Sequence, residues 1–541
     1  MQSQELRDLA RKLKDSLSRL QEKRRNWESH WQEVSDYMLP RKAEITKERA
    51  RGDKRSIAIF DASAIHALEL LAASLHGMLT SSANRWFSLR FKEVSLNESD
   101  EAKEWLEDAT QRMYNAFARS NFQQEIFECY HDLIAFGTAC LLIEEDDDDV
   151  IRFSARHIKE IYIQENKKGV VDCLYRRFKM TAEAAVDKFG IDNVSRETQN
   201  TFRKAPFDEI ELVHVVKPRS VYDTNKKDKQ NMPFHSIYFE HGSGHIIAQG
   251  GFKEHPYTIP RYLKSSTEVY GRSPGMNALS ETKVLNKMVE HALKAAAKQI
   301  DPPLLVPDSS MLAPIRMSPG SINYFRSGSR DRIEPLNINQ NTTVTLNSEN
   351  QRREAIAKMF HVDQLIQQSD HSMTATEVLQ RQEEKMRILG PVLGRLQSEL
   401  LEPMITRVFN IMLRNQLFLP APEILTKQEL QIEYVSPMAL AQRSQELQSI
   451  MRGLELFGSL AQTMPVMDYI DENGLVKQVT KILGLSAKLI RSDQEVEQIR
   501  ADRNAQQQQQ MEMEQAVQES QVAKNAAPAA KVLLDGSEQT Q

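Results

Sequence analysis

From Met386 onward apolar residues recur at three- and four-residue steps, through Leu389, Leu393, Leu396, Leu400, Met404, Val408 and Ile411. That spacing lays one stripe along a helix. Upstream, Thr374 and Glu377 form a capping box, so the pattern predicts a single helix from Thr374 to Gln416. At 1.5 Å per residue it spans roughly 60 Å. Gly390-Pro391 and Pro403 fall inside it, and a proline removes a backbone donor and clashes with the preceding turn, so kinks are predicted at both places. A rod of this length needs a long apolar surface, which either the interior of a large helical domain or another subunit supplies.

A second long amphipathic helix is predicted over residues 3 to 38, on Leu6, Leu9, Leu13, Leu17, Leu20, Trp27, Trp31, Val34 and Met38, with Pro40 as its stop. Further helices run from an Asp61 cap to about Leu79, and after Asp100 and Asn121. Between Leu141 and Tyr175 the pattern changes to short apolar runs, CLLI, VIRF, IYI and VVDCLY, which predict strands. More strands are predicted at Ile210 to Val216 and in a hairpin, HSIYFE and HIIAQ around HGSG. Ser273 caps a helix with Pro274 at its first position, which continues to Ile300 and stops at Asp301-Pro302-Pro303.

The prolines at 302, 303, 307, 314, 319 and 335 exclude a helix over residues 301 to 335. A capping box from Ser348 to Gln351 opens the next helix, which ends near Phe360. Ser436-Pro437 and a box from Ser492 to Glu495 open two later helices, and a glutamine-rich tail follows that offers little to a packed core. The fold class is therefore α+β and predominantly helical.

With 541 residues the chain divides into several domains or subdomains. A net charge of −5 leaves no wholesale basic balance, so any contact with nucleic acid is local. Cys129, Cys140 and Cys173 make no CxxC pair and read as buried thiols of a reducing compartment. No apolar run is long enough to span a membrane, and the N-terminus carries no signal-peptide core.

Motifs for catalysis are missing: there is no GxxxxGK[ST], HExxH or GxSxG. No catalytic, cofactor-binding or metal-binding residue is assigned, and no enzyme activity is expected. His241, His245 and His255 bring no thiolate or carboxylate set with them, so HGSGH reads as a hairpin turn. The acidic run Glu144 to Asp149 reads as a solvated loop between strands, its charges spread rather than converged on a cation.

Lys283, Lys287, Lys294 and Lys298 lie within about a 60° arc of their helix, a basic stripe that would touch phosphates without reading bases. Glu290 shares that arc and can pair with Lys294, so a solvated outer face explains the stripe equally well. Gln364, Gln367, Gln368, Ser369 and His371 form a polar connection between two helices, whose amides and hydroxyls would make weak contacts to a passing backbone.

Three blocks, FDASAIHALELLAASLHGMLTSSANRWFSLRF (60 to 91), YGRSPGMNALSETKVLNKM (270 to 288) and TATEVLQRQEEKMRILGPVLGRLQSELLEPMITRVFNIM (374 to 412), carry a resemblance over residues 57 to 490. The chain resembles the head-to-tail connecting, or portal, proteins of short-tailed bacteriophages. The resemblance implies a homo-oligomeric ring, typically a dodecamer, at one capsid vertex of the virion, assembled in the host cytoplasm. It also implies a portal-type subunit with an α+β wing, a helical stem, a proline-rich clip and a helical crown and barrel.

Mapped onto the sequence, the wing is 1–270, the first stem helix 271–300, the clip 301–346 and the second stem helix 347–360. The channel loop is 361–373, the long kinked wing helix and following segment 374–436, the crown 437–491, and the barrel helix with its tail 492–541. The implied partners are terminase, tail adaptor and tail tube proteins, scaffolding protein, the major capsid protein and passing double-stranded DNA, with no membrane and no cofactor. Gln364, Gln367, Gln368, Ser369, His371 and the four lysines would line the channel. The rival reading is an elongated helical scaffold or internal virion protein without a channel. A metal-dependent nuclease built on Asp146 to Asp149 ranks third.

Overall fold

The architecture comes from a computed structural model. It describes residues 4–50, 52–54, 59–83, 85–91, 99–223, 226, 228–305, 322, 334–335, 342–365, 388–422, 430–433 and 437–460, with 471, 474–476, 478–479, 495–496, 498–511, 513 and 517 beyond them. The chain groups into two units, Met1–Ser88 with Thr110–Phe418 and Ile432–Gln442, and Leu89–Ala109 with Leu419–Gln431 and Arg443–Gln541.

The N-terminal stripe folds as α1 (Gln4–Met38), and α2 (Ser63–Leu79), β1 (Ser88–Phe91), α3 (Asp100–Arg119) and α4 (Phe122–Phe136) follow. Asp61 acts one residue outside the predicted cap position: Ala62 is the cap residue, and Asp61 Oδ1 accepts from Ser63 N at 2.9 Å. Asn121 precedes α4 without capping it. Its side chain bonds the backbone of Phe153 instead, accepting at 2.9 Å and donating at 2.8 Å.

The predicted strands appear as β2 (Leu141–Asp146), β3 (Val150–Ala155), β4 (Ile161–Glu165), β5 (Val171–Thr181), β6 (Glu209–Pro218), β7 (Phe234–Glu240) and β8 (Ile246–Phe252), with a short β9 (Tyr257–Thr258). Two helices between β5 and β6 escaped the sequence reading: α5 (Ala182–Phe189), capped by Thr181, and α6 (Arg196–Lys204), capped by Ser195. Both are about two turns long, too short for periodicity to mark them.

The strands form two antiparallel sheets, one ordered β3-β2-β9 and the other β4-β5-β6-β7-β8. Period-two alternation gives the second sheet two apolar faces. One packs Tyr162, Tyr175, Val213, Val215, Ile237 and Phe239 against Leu13 and Leu17 of α1. The other packs Phe178, Leu212 and Ile247 against Ala185 and Val194 of the α5–α6 segment. Further along α1, the buried guanidinium of Arg24 lies over the Tyr162 ring at 3.7 Å and donates to Ile158 O at 3.0 Å.

The chain then builds α7 (Pro274–Ile300), the short strands β10 (Leu304–Leu305) and β11 (Glu334–Pro335), α8 (Thr342–Met359) and α9 (Val362–Leu365). Helix α8 begins six residues before the predicted Ser348 box, so Ser348 lies inside it. Pro307, Pro314 and Pro319 fall outside the described residues, as do Ser436 and Ser492.

Thr374, Glu377 and Met386 of the long predicted helix are likewise outside the described residues; from 388 the chain is α10 (388–396), a π-helical turn Gln397–Leu401, and α11 (Glu402–Arg414). Glu402 N reaches back five residues to Gln397 O. Pro403, next in line, has no N–H to give, and one wide turn just before it makes room for the ring. The irregularity predicted at Pro403 is thus a π turn, whereas 388–396 runs helical through Pro391.

Leu389, Leu396, Leu400, Met404, Val408 and Ile411 are all buried. Their cover comes from this chain itself: Arg407 Nε donates to Ile143 O at 2.8 Å, and Arg261, 2% exposed, binds Glu399 at 2.6 Å. This part of the rod needs no neighbouring subunit. In the second unit, Ala102, Trp105, Leu106 and Ala109 are buried and Trp105 Nε1 donates to Leu419 O at 3.0 Å. β12 (Leu430–Glu433) and α12 (Pro437–Leu460) follow, and the helical residues 501–511 are exposed throughout.

Candidate functional surface on helices α7 and α8

The foot of α7 is built by the sequence YGRSPG. Tyr270 stands among Trp27 and Trp31, ring centroids 5.8 and 5.1 Å away, and the Arg272 guanidinium lies 4.4 Å over Trp27. Gly271 passes so close to Gly137 that a Cβ on it would sit 2.2 Å from Gly137 O. Gly137 ends α4 with φ 75°, the left-handed region that favours glycine. Ser273 Oγ then accepts from Met276 N at 3.0 Å and donates to Ala135 O at 2.8 Å, so one hydroxyl caps α7 and ties it to α4.

About three turns beyond, α7 is clamped to the entry of α2 and to α8. The buried Asn286 Oδ1 accepts from Phe60 N at 2.8 Å and Asp61 N at 3.2 Å, while Nδ2 donates to Thr282 O at 3.0 Å. Asp61 Oδ2 receives Arg353 Nε of α8 at 2.9 Å. Hydrogen bonds from Ser63 and Arg353 hold the Asp61 carboxyl below its ordinary range against the opposing effect of burial, which is the largest single influence. Arg352 of α8 pairs with Glu281 of α7, and Ile356 and Phe360 are buried. His361, at φ 56°, marks the turn where α8 ends and α9 begins.

The lysine stripe occupies the exposed side of α7 in partly neutralised form. Lys283 reaches Glu33 of α1 at 3.2 Å, while Lys287 and Lys294 both hold Glu290 at 2.6 Å. These two hydrogen bonds push the Glu290 carboxyl down to about 2. Lys298 is exposed near the end of the helix. Of the polar connection, Gln364 lies in α9, whereas Gln367, Gln368, Ser369 and His371 are outside the described residues.

Helix α7 also carries a signal that the sequence reading passed over. Leu279, Asn286, Leu293 and Ile300 recur every seven residues, which places them on one face. The first two are buried, but Leu293 is 56% and Ile300 86% exposed. The core-facing stripe continues past the end of its cover.

The other polar clusters resolve into structure. HGSGH is the β7–β8 turn, where Lys14 Nζ donates to Gly242 O at 2.8 Å; His245 Nε2 lies 2.9 Å from Asn193 O and His255 Nδ1 2.7 Å from Tyr257 O. Half of the acidic run belongs to β2 rather than to a loop: Glu144 to Asp146 pair with β3 and the other three aspartates make the connecting turn. Glu145 binds Arg414 at 3.0 Å. Among the described residues, no three His, Cys, Asp or Glu side chains converge as a metal site, and no helix is long and apolar enough to cross a membrane. All three cysteines are free and buried, and burial pushes their thiols up, Cys173 to about 12.

Comparison with known proteins agrees with this architecture. The family model of the bacteriophage head to tail connecting protein matches residues 10–490. The portal protein of Salmonella phage epsilon15 is 33% identical over 536 residues, covering 97% of this chain and 95% of that protein. The probable portal protein of Bordetella phage BPP-1 is 33% identical over 502 residues, 90% of each. The chain belongs to the bacteriophage head-to-tail connecting, or portal, protein family.

Proposed function

We propose that copies of this chain close into a ring, a dodecamer, at one vertex of the phage capsid, and that double-stranded DNA enters and leaves the head through its bore. The observation that carries this reading is the seven-residue stripe of α7, Leu279, Asn286, Leu293 and Ile300, buried in its first half and left as exposed apolar side chains in its second. Two relatives named as portal proteins along most of their length supply the family context. A second copy is the occupant that fits: a ring presents the same helix to each neighbour, and closed symmetry satisfies every copy at once.

In this reading residues 1–270 and the helix from 374 form the wing, α7 and α8 the stem, and 301–346 the clip where terminase, and later tail proteins, dock. Scaffolding and major capsid proteins would meet the ring within the virion. Residues 361–373 form the channel loop, 437–491 the crown and 492–541 the barrel. Gln364, Gln367, Gln368, Ser369 and His371 line the bore, with Lys283, Lys287, Lys294 and Lys298 as the stem contribution. Charge compensation by Glu33 and Glu290 suits a conduit, since a strongly basic wall would retain the DNA it must pass. The role is structural rather than catalytic.

Electron microscopy of the purified protein tests the reading: closed rings with a central opening are expected, and a monomer under every assembly condition tried overturns it. A scaffold would assemble without a bore. Duplex binding by the rings should be weak and steeply salt-dependent; tight binding indifferent to salt would contradict a conduit.

A further inference from the structure

The five-stranded sheet pairs its basic residues with care, except at one corner. On β5, Arg176 meets Glu160 at 2.8 Å, Arg177 meets Glu211 at 2.6 Å and Lys179 meets Glu48 at 3.0 Å. At the far end of β6 no such partner stands. Lys217 lies directly across from His235 of β7, at a register where facing Cβ atoms are about 5 Å apart. Arg219, one residue past the end of β6, comes close enough to His235 to act on its charge.

Arg219 is held but not satisfied. Its backbone N donates to Pro233 O at 2.8 Å, and Nη2 donates to Gly250 O at 2.9 Å and Lys229 O at 3.4 Å, while Nε is buried with no acceptor. The nearest carboxylate in electrostatic reach, Asp228, is turned to its own loop, where it accepts from Asn231 N at 3.0 Å and Nδ2 at 2.7 Å. Among the described residues, Lys217, Arg219 and His235 have no ion pair. With His235 neutral at pH 7, the like charges of this corner are those of Lys217 and Arg219. Gathering two cations beside an imidazole without an acid is unfavourable for the fold alone, and a bound anion reverses that.

We infer that Lys217, Arg219 and His235 form a binding site for a phosphate-type oxyanion, either free in solution or carried on a nucleic-acid backbone. The chemistry suits it: a guanidinium fixed through Nη2 by two carbonyls leaves Nη1 to donate, the lysine offers a mobile point charge, and the imidazole a donor that stays neutral at pH 7. Burial, then Arg219 and Lys217, push the His235 imidazole down to about 4, and an anion beside it would act in the opposite direction. The inference does not depend on ring assembly.

The test compares the melting temperature of the full-length protein in sodium phosphate and in sodium chloride at matched ionic strength, for the native chain and the Lys217→Gln variant, which leaves the Arg219 bonds to Gly250 O and Lys229 O in place. The native protein should gain about 2–4 °C in phosphate. The variant should melt at or slightly above the native value in chloride, because repulsion is relieved, and lose the response to phosphate. No native gain, an equal gain in the variant, or a variant several degrees less stable in chloride would each overturn the proposal, the last by making Lys217 structural. Fluorescence anisotropy with a short duplex separates the sources. A loss of duplex binding in the variant identifies the backbone phosphate, and unchanged duplex binding with a lost phosphate response identifies the free ion.

Discussion

Asn286 shows how one side chain can hold three elements: it accepts the N–H groups of Phe60 and Asp61 and keeps α2 registered against α7 and α8. Asn286→Leu keeps the branching at Cγ in a somewhat larger side chain but leaves two donors unpaired, at about 1–3 kcal/mol for such a group. Denaturant unfolding should read a loss near the upper end of that range. Arg261 is a stronger case, since it binds Glu399 and Glu165 together while almost fully buried. Arg261→Met leaves Glu165 with Lys264 alone at 2.5 Å and Glu399 with Arg395 alone at 3.5 Å, and a loss of about 3 kcal/mol is expected in the same measurement. A loss under 1 kcal/mol would mean that water reaches the site.

The buried histidines predict a response to acid. His255 and His235 are pushed down to about 4, in both cases chiefly by burial, and burial pushes His214, held between Tyr257 Oη at 2.8 Å and Ser236 Oγ at 3.0 Å, well below its ordinary value. Their folded pKa values lie below the unfolded value near 6.5, so the fold favours the neutral ring. The stability they contribute is complete above pH 6.5 and is lost as pH falls from there toward 4. Melting temperature should therefore decline between pH 6.5 and 4.5, and His255→Gln should flatten the decline. An unchanged slope in that variant would assign the effect to other groups.

At the scale of elements, periodicity and caps were legible where a helix was long or its start chemically marked. Ser273-Pro274 opens α7 as read, and β6 sits within two residues of its predicted run, whereas β5 continues six residues past Tyr175, where its run was read to end. The start of α8 at Thr342 was not legible, because Thr342, Thr343 and Val344 are β-branched residues that local preference places in strands. The π turn at Gln397–Leu401 was half legible: Pro403 announced an irregularity, but its form depends on a wide turn that also carries Glu399, the partner of Arg261.

For the whole molecule, the question is which apolar surface the chain leaves for others. The described part of the long helix is sealed within its own chain, so the unpartnered surface moves to Leu293 and Ile300 at the far end of α7. Leu293→Glu with Ile300→Glu should therefore leave the melting temperature of the unassembled chain almost unchanged, since both sites are already wet. Ring formation, measured by light scattering, should fall at least tenfold. Rings that persist at native levels would place the contact elsewhere.

The sequence by itself determined the α+β class, the long helices, the strand runs and the family, because periodicity, caps and motif blocks are local properties of the chain. The candidate surface was legible only in part: the lysine stripe could be read from spacing, but its pairing with Glu33 brings together residues 250 apart. Only the tertiary structure decided which apolar stripes are covered from within, that Asn286 and Arg261 act as hubs, and that Lys217, Arg219 and His235 share one corner without an acid. Those outcomes depend on which distant segments meet, and burial and charge balance belong to that meeting rather than to any single stretch of residues.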